Sequence, residues 1–94
     1  MIIAYMLFNN NYFFKEYIMI FDEVKEILAD ELDINIDDIE MNSNLMDDLG
    51  ADSLDAIDIV MSVEDQYSIE VPDEVIKSIK TVEDIVSFIE SNID

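Results

Sequence analysis

From Ile20 onward the apolar residues fall into runs with helical spacing, separated by polar stretches that hold the only glycine and the only proline of the chain. Phe21, Val24, Ile27, Leu28 and Leu32 recur at three- and four-residue steps, which predicts a helix over about residues 20–33 with one face in a core. Asp22 and Glu23 suit the first turn of that helix, where negative charge meets the positive end of the helix dipole. Residues 34–51 show no such period and predict a connection longer than most. Ile34, Ile39, Leu45 and Leu49 are spaced to pin it to the core, and Gly50 stands where a backbone without a side chain can turn sharply. A second helix follows from about Asp52 to Gln66 or Tyr67. Pro72 ends an extended piece, and Asp73 to Ser78 predicts a short helix. Thr81 with Asp84 three residues on resembles a capping box. It opens a last helix from Val82 to about Asn92, which turns Val82, Ile85, Val86, Phe88 and Ile89 inward. The sum is all-α: a four-helix bundle of three longer helices and one short one, with a long loop between the first two.

The second helix carries more apolar surface than an edge helix can bury. Wound at about 100 degrees per residue, Asp52 to Tyr67 presents two opposed stripes. One holds Ala56, Ile59, Val60, Val63 and Tyr67; the other holds Leu54, Ile57 and Met61. Asp55, Asp58, Glu64 and Asp65 flank the second stripe, and acids are almost never fully buried without partners, so this stripe is expected to face outward. An apolar strip rimmed by carboxylates predicts a docking surface for a basic partner, with Leu54, Ile57 and Met61 filling a shallow pocket. In an ordinary acidic bundle the same residues would be core and a solvated face, but two nearly opposite stripes cannot both be core.

Charge narrows the partners. The formal net charge is -20, from 24 acids and 4 lysines, and 23 of those acids lie within residues 20–94. Such a field repels phosphate backbones and anionic headgroups, so no nucleic acid and no stable membrane insertion are expected, and partners should present basic surfaces. The chain has no histidine, cysteine or arginine. The usual base for a serine nucleophile, the thiolate and the guanidinium clamp are therefore missing, and no catalytic residue is assigned. The absence of cysteine fits a reducing compartment, and the expected location is cytoplasmic. The clusters Asp37, Asp38, Glu40 and Asp47, Asp48 do not follow the ligand order of an EF-hand, so no metal site is assigned. Their crowding instead predicts a fold whose stability rises with salt or divalent cations.

Residues 1–19 differ in kind: 14 of the 19 are apolar and six of the nine aromatics fall there. The first eight residues form a short hydrophobic run that is cut off by Asn9, Asn10 and Asn11 and is too short to span a bilayer. The whole segment is expected to be an extension outside the folded domain at 20–94, with Met19 a candidate start. An ordered extra helix covering part of the domain is the alternative.

Ser53 stands at the start of the second helix within the stretch DLGADSLD, from Asp48 to Asp55. A serine at a helix start is ordinarily a cap, but Asp52 is the better cap, which makes Ser53 the first helical residue, beside unpaired backbone donors. This stretch, with Glu70, Val71, Pro72, Asp73 and Glu74 further on, resembles the prosthetic-group site of acyl carrier proteins, and the resemblance covers about residues 20–94. It implies the same bundle fold and a 4'-phosphopantetheine, derived from coenzyme A, attached to Ser53 as a phosphodiester with Asp52 and Leu54 beside it. It implies a magnesium-dependent phosphopantetheinyl transferase (a holo-protein synthase) as one partner. Others would be the basic-surfaced enzymes of fatty acid synthesis: ketosynthases, reductases, dehydratases and acyltransferases. The protein would be a monomeric carrier of growing acyl chains as thioesters, catalysing nothing itself. The docking strip would comprise Leu54, Asp55, Ile57, Asp58, Met61, Glu64 and Asp65, and the chain would slide between the helices against Ile59, Val63, Ile79 and Phe88. Carriers for polyketide, peptide or D-alanine pathways share these features. An unmodified acidic adaptor, associated with divalent cations, is the rival of a different class.

Overall fold

The computed structural model describes the backbone of residues 2–93 and the side chains of residues 16–93. Four α-helices run in the order α1 (Ile2–Leu32), α2 (Ser53–Tyr67), α3 (Asp73–Ser78) and α4 (Val82–Asn92), with one 3₁₀ turn at Ile36–Asp38. Among the described residues there is no strand, only an isolated antiparallel bridge between Asn44 and Thr81. The bundle of three longer helices and one short one is the fold expected from the periodicity, and the last three helices begin and end where the pattern placed them.

The first helix differs from expectation. It starts at Ile2 and passes through Met19 and Ile20 without a break, so Asp22 and Glu23 lie well inside it rather than in its first turn. The physical reason is that neither proline nor glycine occurs before Gly50, so nothing in the chain interrupts a backbone once it is helical. The packing of the extension at residues 1–15 falls outside the described residues. From Ile20 onward the predicted face is inward: Ile20, Val24, Ile27 and Leu28 are buried, with Phe21 and Leu32 partly buried beside them, and Tyr17 from the segment expected to lie outside the domain packs on the same core.

Helix α1 packs against both α2 and α4. Leu28 and Val24 of α1, Ile59 of α2, and Val82, Val86 and Ile89 of α4 are the largest fully buried side chains. Burying each stabilises the fold by about 1.5–3 kcal/mol relative to exposure. The loop residues Ile39, Leu45 and Leu49 are buried in the same core and Ile34 is half-buried against it, so the long connection is anchored as its spacing predicts. Hydrogen bonds fasten it to the start of α4: the Leu45 N–H donates to the Lys80 carbonyl at 2.9 Å, Val82 N–H to Ser43 at 3.1 Å and Glu83 N–H to Met41 at 2.9 Å. Two of the free donors at the start of α4 are thereby occupied by loop carbonyls. Ser43, the buried polar residue, accepts the Glu40 N–H on its hydroxyl at 2.9 Å.

Chain reversals rest on three left-handed residues. Gly50 has φ 76, and a Cβ there would meet nothing within 4 Å, so glycine is favoured by the backbone angle rather than by space. Asp33 and Ser68 take φ 54 and 55 just past the ends of α1 and α2. There the Ile34 and Ile69 N–H groups reach back to the carbonyls of Ala29 and Glu64 and close the helices.

Candidate functional site

The site forms where the anchored loop turns into α2. Gly50 redirects the chain, and the Ala51 N–H donates to the Leu45 carbonyl at 2.8 Å. Asp52 is the N-cap. Its carboxylate accepts the Asp55 N–H at 2.8 Å, while the Asp55 carboxylate accepts the Asp52 N–H at 3.1 Å, a reciprocal capping box. Ser53 is thus the first helical residue, and it is exposed. Its hydroxyl makes no hydrogen bond among the described residues, and the N–H groups of Ser53 and Leu54 likewise have no acceptor there. A hydroxyl at this position is free to react, and an anionic group attached to it would meet unclaimed backbone donors at a helix N-terminus. Asp52 and Asp55 stand beside this position and oppose such a group electrostatically.

Ser53 also lines a cleft of about 570 Å³. The floor and walls are apolar: Ala56, Ile59 and Val60 from α2, Ile76 and Ile79 from and just after α3, and Ile85 from α4. Of the four residues expected to line an apolar space between the helices, Ile59 and Ile79 lie here. Val63 and Phe88 do not. Val63 is one turn further along α2 and buried in the main core, and Ile85 rather than the half-buried Phe88 is the contribution of α4. Ala56 and Val60 belong to the inward stripe seen in the sequence. Ile85 is expected from its spacing to face inward, but nothing local places it or Ile76 in the cleft, because only the approach of α3 and α4 to α2 brings them together.

The outward stripe is where the pattern put it. Leu54, Ile57 and Met61 are 71%, 48% and 58% exposed, whereas Ile59, Val60 and Val63 on the opposite face are buried. Asp58 and Asp65 stand exposed beside it and Asp55 is half-buried through its capping role. Glu64 is turned partly inward: its carboxylate accepts the Val71 N–H at 2.8 Å and ties α2 to the extended piece before α3. The strip therefore combines large apolar side chains with carboxylates in solvent. Among the described residues no three acidic side chains converge on a point that would hold a metal ion. No helix of the described residues is long and apolar enough to cross a membrane.

At the far end of α2 the Tyr67 hydroxyl donates to the Glu23 carboxylate at 2.6 Å, and the Ser62 hydroxyl donates to Glu31 at 3.0 Å. Burial, then the hydrogen bond to Glu23 and its charge, push the Tyr67 phenol well above its ordinary value of 10.0. These two bonds join α1 to α2 across 44 and 31 residues of chain, and no sequence spacing announces them.

A small helical domain with a free hydroxyl at a helix start, an apolar cleft that the same residue lines and an exposed apolar strip among carboxylates has the features expected of a carrier. Comparison with known proteins agrees. The family model described as a phosphopantetheine attachment site matches residues 22–89. The acyl carrier protein of Wolinella succinogenes is 44% identical over 73 residues, covering 78% of this chain and 96% of that protein. Those of Clostridium perfringens and Clostridium acetobutylicum are 49% and 43% identical over 69 and 74 residues, covering 73% and 79% of this chain and 91% and 96% of theirs. The chain belongs to the acyl carrier protein family. Its role is that of an acyl carrier, and its prosthetic group is a covalently attached phosphopantetheine. The residues present fit that group: an exposed hydroxyl, open backbone donors and an adjoining apolar cleft.

Proposed function

We propose that Ser53 bears the 4'-phosphopantetheine and that the protein, through its carrier unit at residues 20–94, carries growing chains in fatty acid synthesis. The observation that carries this reading is the Ser53 hydroxyl itself, exposed and unbonded at the first residue of α2, on the wall of the cleft. When bound, the group supplies a thiol that holds acyl chains as thioesters. The chain's own residues hold and present it. Asp52 and Asp55 form the cap between them and leave the Ser53 hydroxyl out of it, and the free N–H groups of Ser53 and Leu54 meet the phosphodiester. Ala56, Ile59, Val60, Ile76, Ile79 and Ile85 shelter the hydrocarbon from water. The 44–49% identity to proteins named acyl carrier protein supports the carrier role.

Partners would dock on Leu54, Ile57 and Met61, steered by Asp55, Asp58, Glu64 and Asp65. They would comprise a phosphopantetheinyl transferase and, in turn, the elongating and reducing enzymes, whose basic surfaces complement the strip. Contacts of this size favour fast, reversible association, which suits a protein that visits several enzymes in succession. Incubation with coenzyme A and a phosphopantetheinyl transferase, followed by intact mass measurement, tests the attachment. The protein gains one phosphopantetheinyl group and Ser53→Ala gains none; a gain that survives the substitution would place the group elsewhere. Transfer of malonyl and then longer chains by purified fatty acid synthesis enzymes tests the pathway, and failure to serve as their substrate would refute it.

A further inference from the structure

Lysine is scarce in this chain, with four residues against 24 acids, yet two of the four, Lys77 and Lys80, line the cleft that Ser53 lines. Both are exposed, and neither forms an ion pair among the described residues, where the one such pair is Lys25 with Asp22. Asp47 lies on the same cleft, and the Asp84 carboxylate, which accepts the Lys80 N–H, also feels the Lys80 charge.

The backbone holds Lys80 near the Ser53 end. Its N–H donates to the Asp84 carboxylate at 2.8 Å, and its carbonyl accepts the Leu45 N–H at 2.9 Å. The Leu45 carbonyl in turn accepts the N–H of Ala51, two residues before Ser53, at 2.8 Å. A short ladder of backbone bonds thus runs from Lys80 to the residues that open α2, so the lysine is presented from a fixed point rather than from a loose loop. Lys77 reaches the same cleft from the last turn of α3.

Everything else charged at this mouth is negative: Asp47 on the cleft, and Asp52 and Asp55 in the cap. A phosphodiester on Ser53 adds to that charge and is tethered within a few bonds of the cleft wall. We propose that Lys77 and Lys80 form an anion subsite that draws the phosphodiester of the attached arm toward the cleft and so inclines the arm inward. The inference rests on the assignment of Ser53 as the attachment point. It gives the two ammonium groups a role distinct from that of the docking strip, which meets the same cleft at Ile57.

The test uses the loaded protein and ³¹P NMR of its phosphodiester, with intact mass confirming loading. Raising the salt from about 0.01 M to about 1 M shortens the screening length roughly tenfold and should move the wild-type resonance as the lysines release the phosphate. Holo Lys77→Gln/Lys80→Gln should show the high-salt position at every salt concentration, while Lys77→Arg/Lys80→Arg should retain the wild-type response. Both lysines are exposed, so thermal melting by circular dichroism should show the variants folded. Coincident ³¹P positions for wild type and the glutamine variant across the salt range would overturn the subsite while leaving the carrier reading intact. Absence of any mass gain at Ser53 would overturn both.

Discussion

Replacing Tyr67 by Phe removes one oxygen atom and leaves the ring that packs beside the core. The lost contact is the 2.6 Å hydrogen bond to the Glu23 carboxylate, which joins the last turn of α2 to the middle of α1. Hydrogen bonds to charged groups contribute about 1.5–3 kcal/mol. Here both partners are only partly buried, so water replaces some of what is lost, and the expected cost falls to about 1 kcal/mol. For a domain of this size that lowers the melting temperature by about 4–8 °C, measured by circular dichroism at neutral pH. The pH dependence supplies a second, independent signature. The phenol holds its proton more tightly when folded, so its contribution is fully present below pH 10.0 and declines as pH rises through that value, where the unfolded chain ionises first. A fully buried group would change stability by about 1.4 kcal/mol per pH unit in that window, and screening at this half-buried site reduces the slope to a fraction of that. The gap between wild type and Tyr67→Phe should therefore narrow above pH 10.0. The remaining tyrosines titrate in both proteins and cancel. Equal stability of the two proteins at neutral pH, or a gap that widens in alkali, would refute the reasoning.

Three further outcomes follow from the same geometry. Asp52→Ala should cost about 1 kcal/mol in urea denaturation because it dismantles the cap of α2, whereas Ser53→Ala should leave the midpoint almost unchanged while abolishing loading. The Asp84 carboxyl is held below its ordinary value of 3.8, first by the N–H of Lys80 and then by the N–H and hydroxyl of Thr81. Its contribution is present above 3.8 and lost as pH falls through the lowered folded value, so Asp84→Asn should flatten the acid limb of the stability curve measured between about pH 5 and pH 2. With a net charge of -20, added magnesium or sodium chloride should raise the melting temperature, and a midpoint that stays constant with ionic strength would contradict the role assigned to self-repulsion.

Most of the helical framework was legible because each signal was local. The apolar period set the inward faces, Asp52 and Thr81 announced their helices by cap chemistry, and Gly50 marked the turn before α2. The outward strip was legible for the same reason, since Leu54, Ile57 and Met61 lie on one helix and their spacing alone sets them apart from Ile59, Val60 and Val63. Two kinds of feature escaped. The upstream reach of α1 escaped because a long apolar segment without proline or glycine reads equally as an extension or as more helix. The composition of the cleft escaped because it is made by the mutual approach of α2, α3 and α4. Val63 and Phe88 have the right character but the wrong turn or face, while Ile76 and Ile85 are brought in by tertiary packing. The Tyr67–Glu23 and Ser62–Glu31 contacts belong to this second kind.

Helices α2 and α4 open with the same device, an acid-closed capping box, and nevertheless differ in what they leave over. At α4 the N–H groups of Val82 and Glu83 are spoken for by the carbonyls of Ser43 and Met41; at α2 those of Ser53 and Leu54 stand vacant. The chain has other exposed hydroxyls, at Ser68, Ser78, Ser87 and Ser91, and none of them is the first residue of a helix. On the carrier reading, selectivity for one serine among many is therefore written into the main chain before any modifying enzyme arrives. A substitution in the 41–45 loop that loosened its grip on α4 would open a second, competing berth for negative charge.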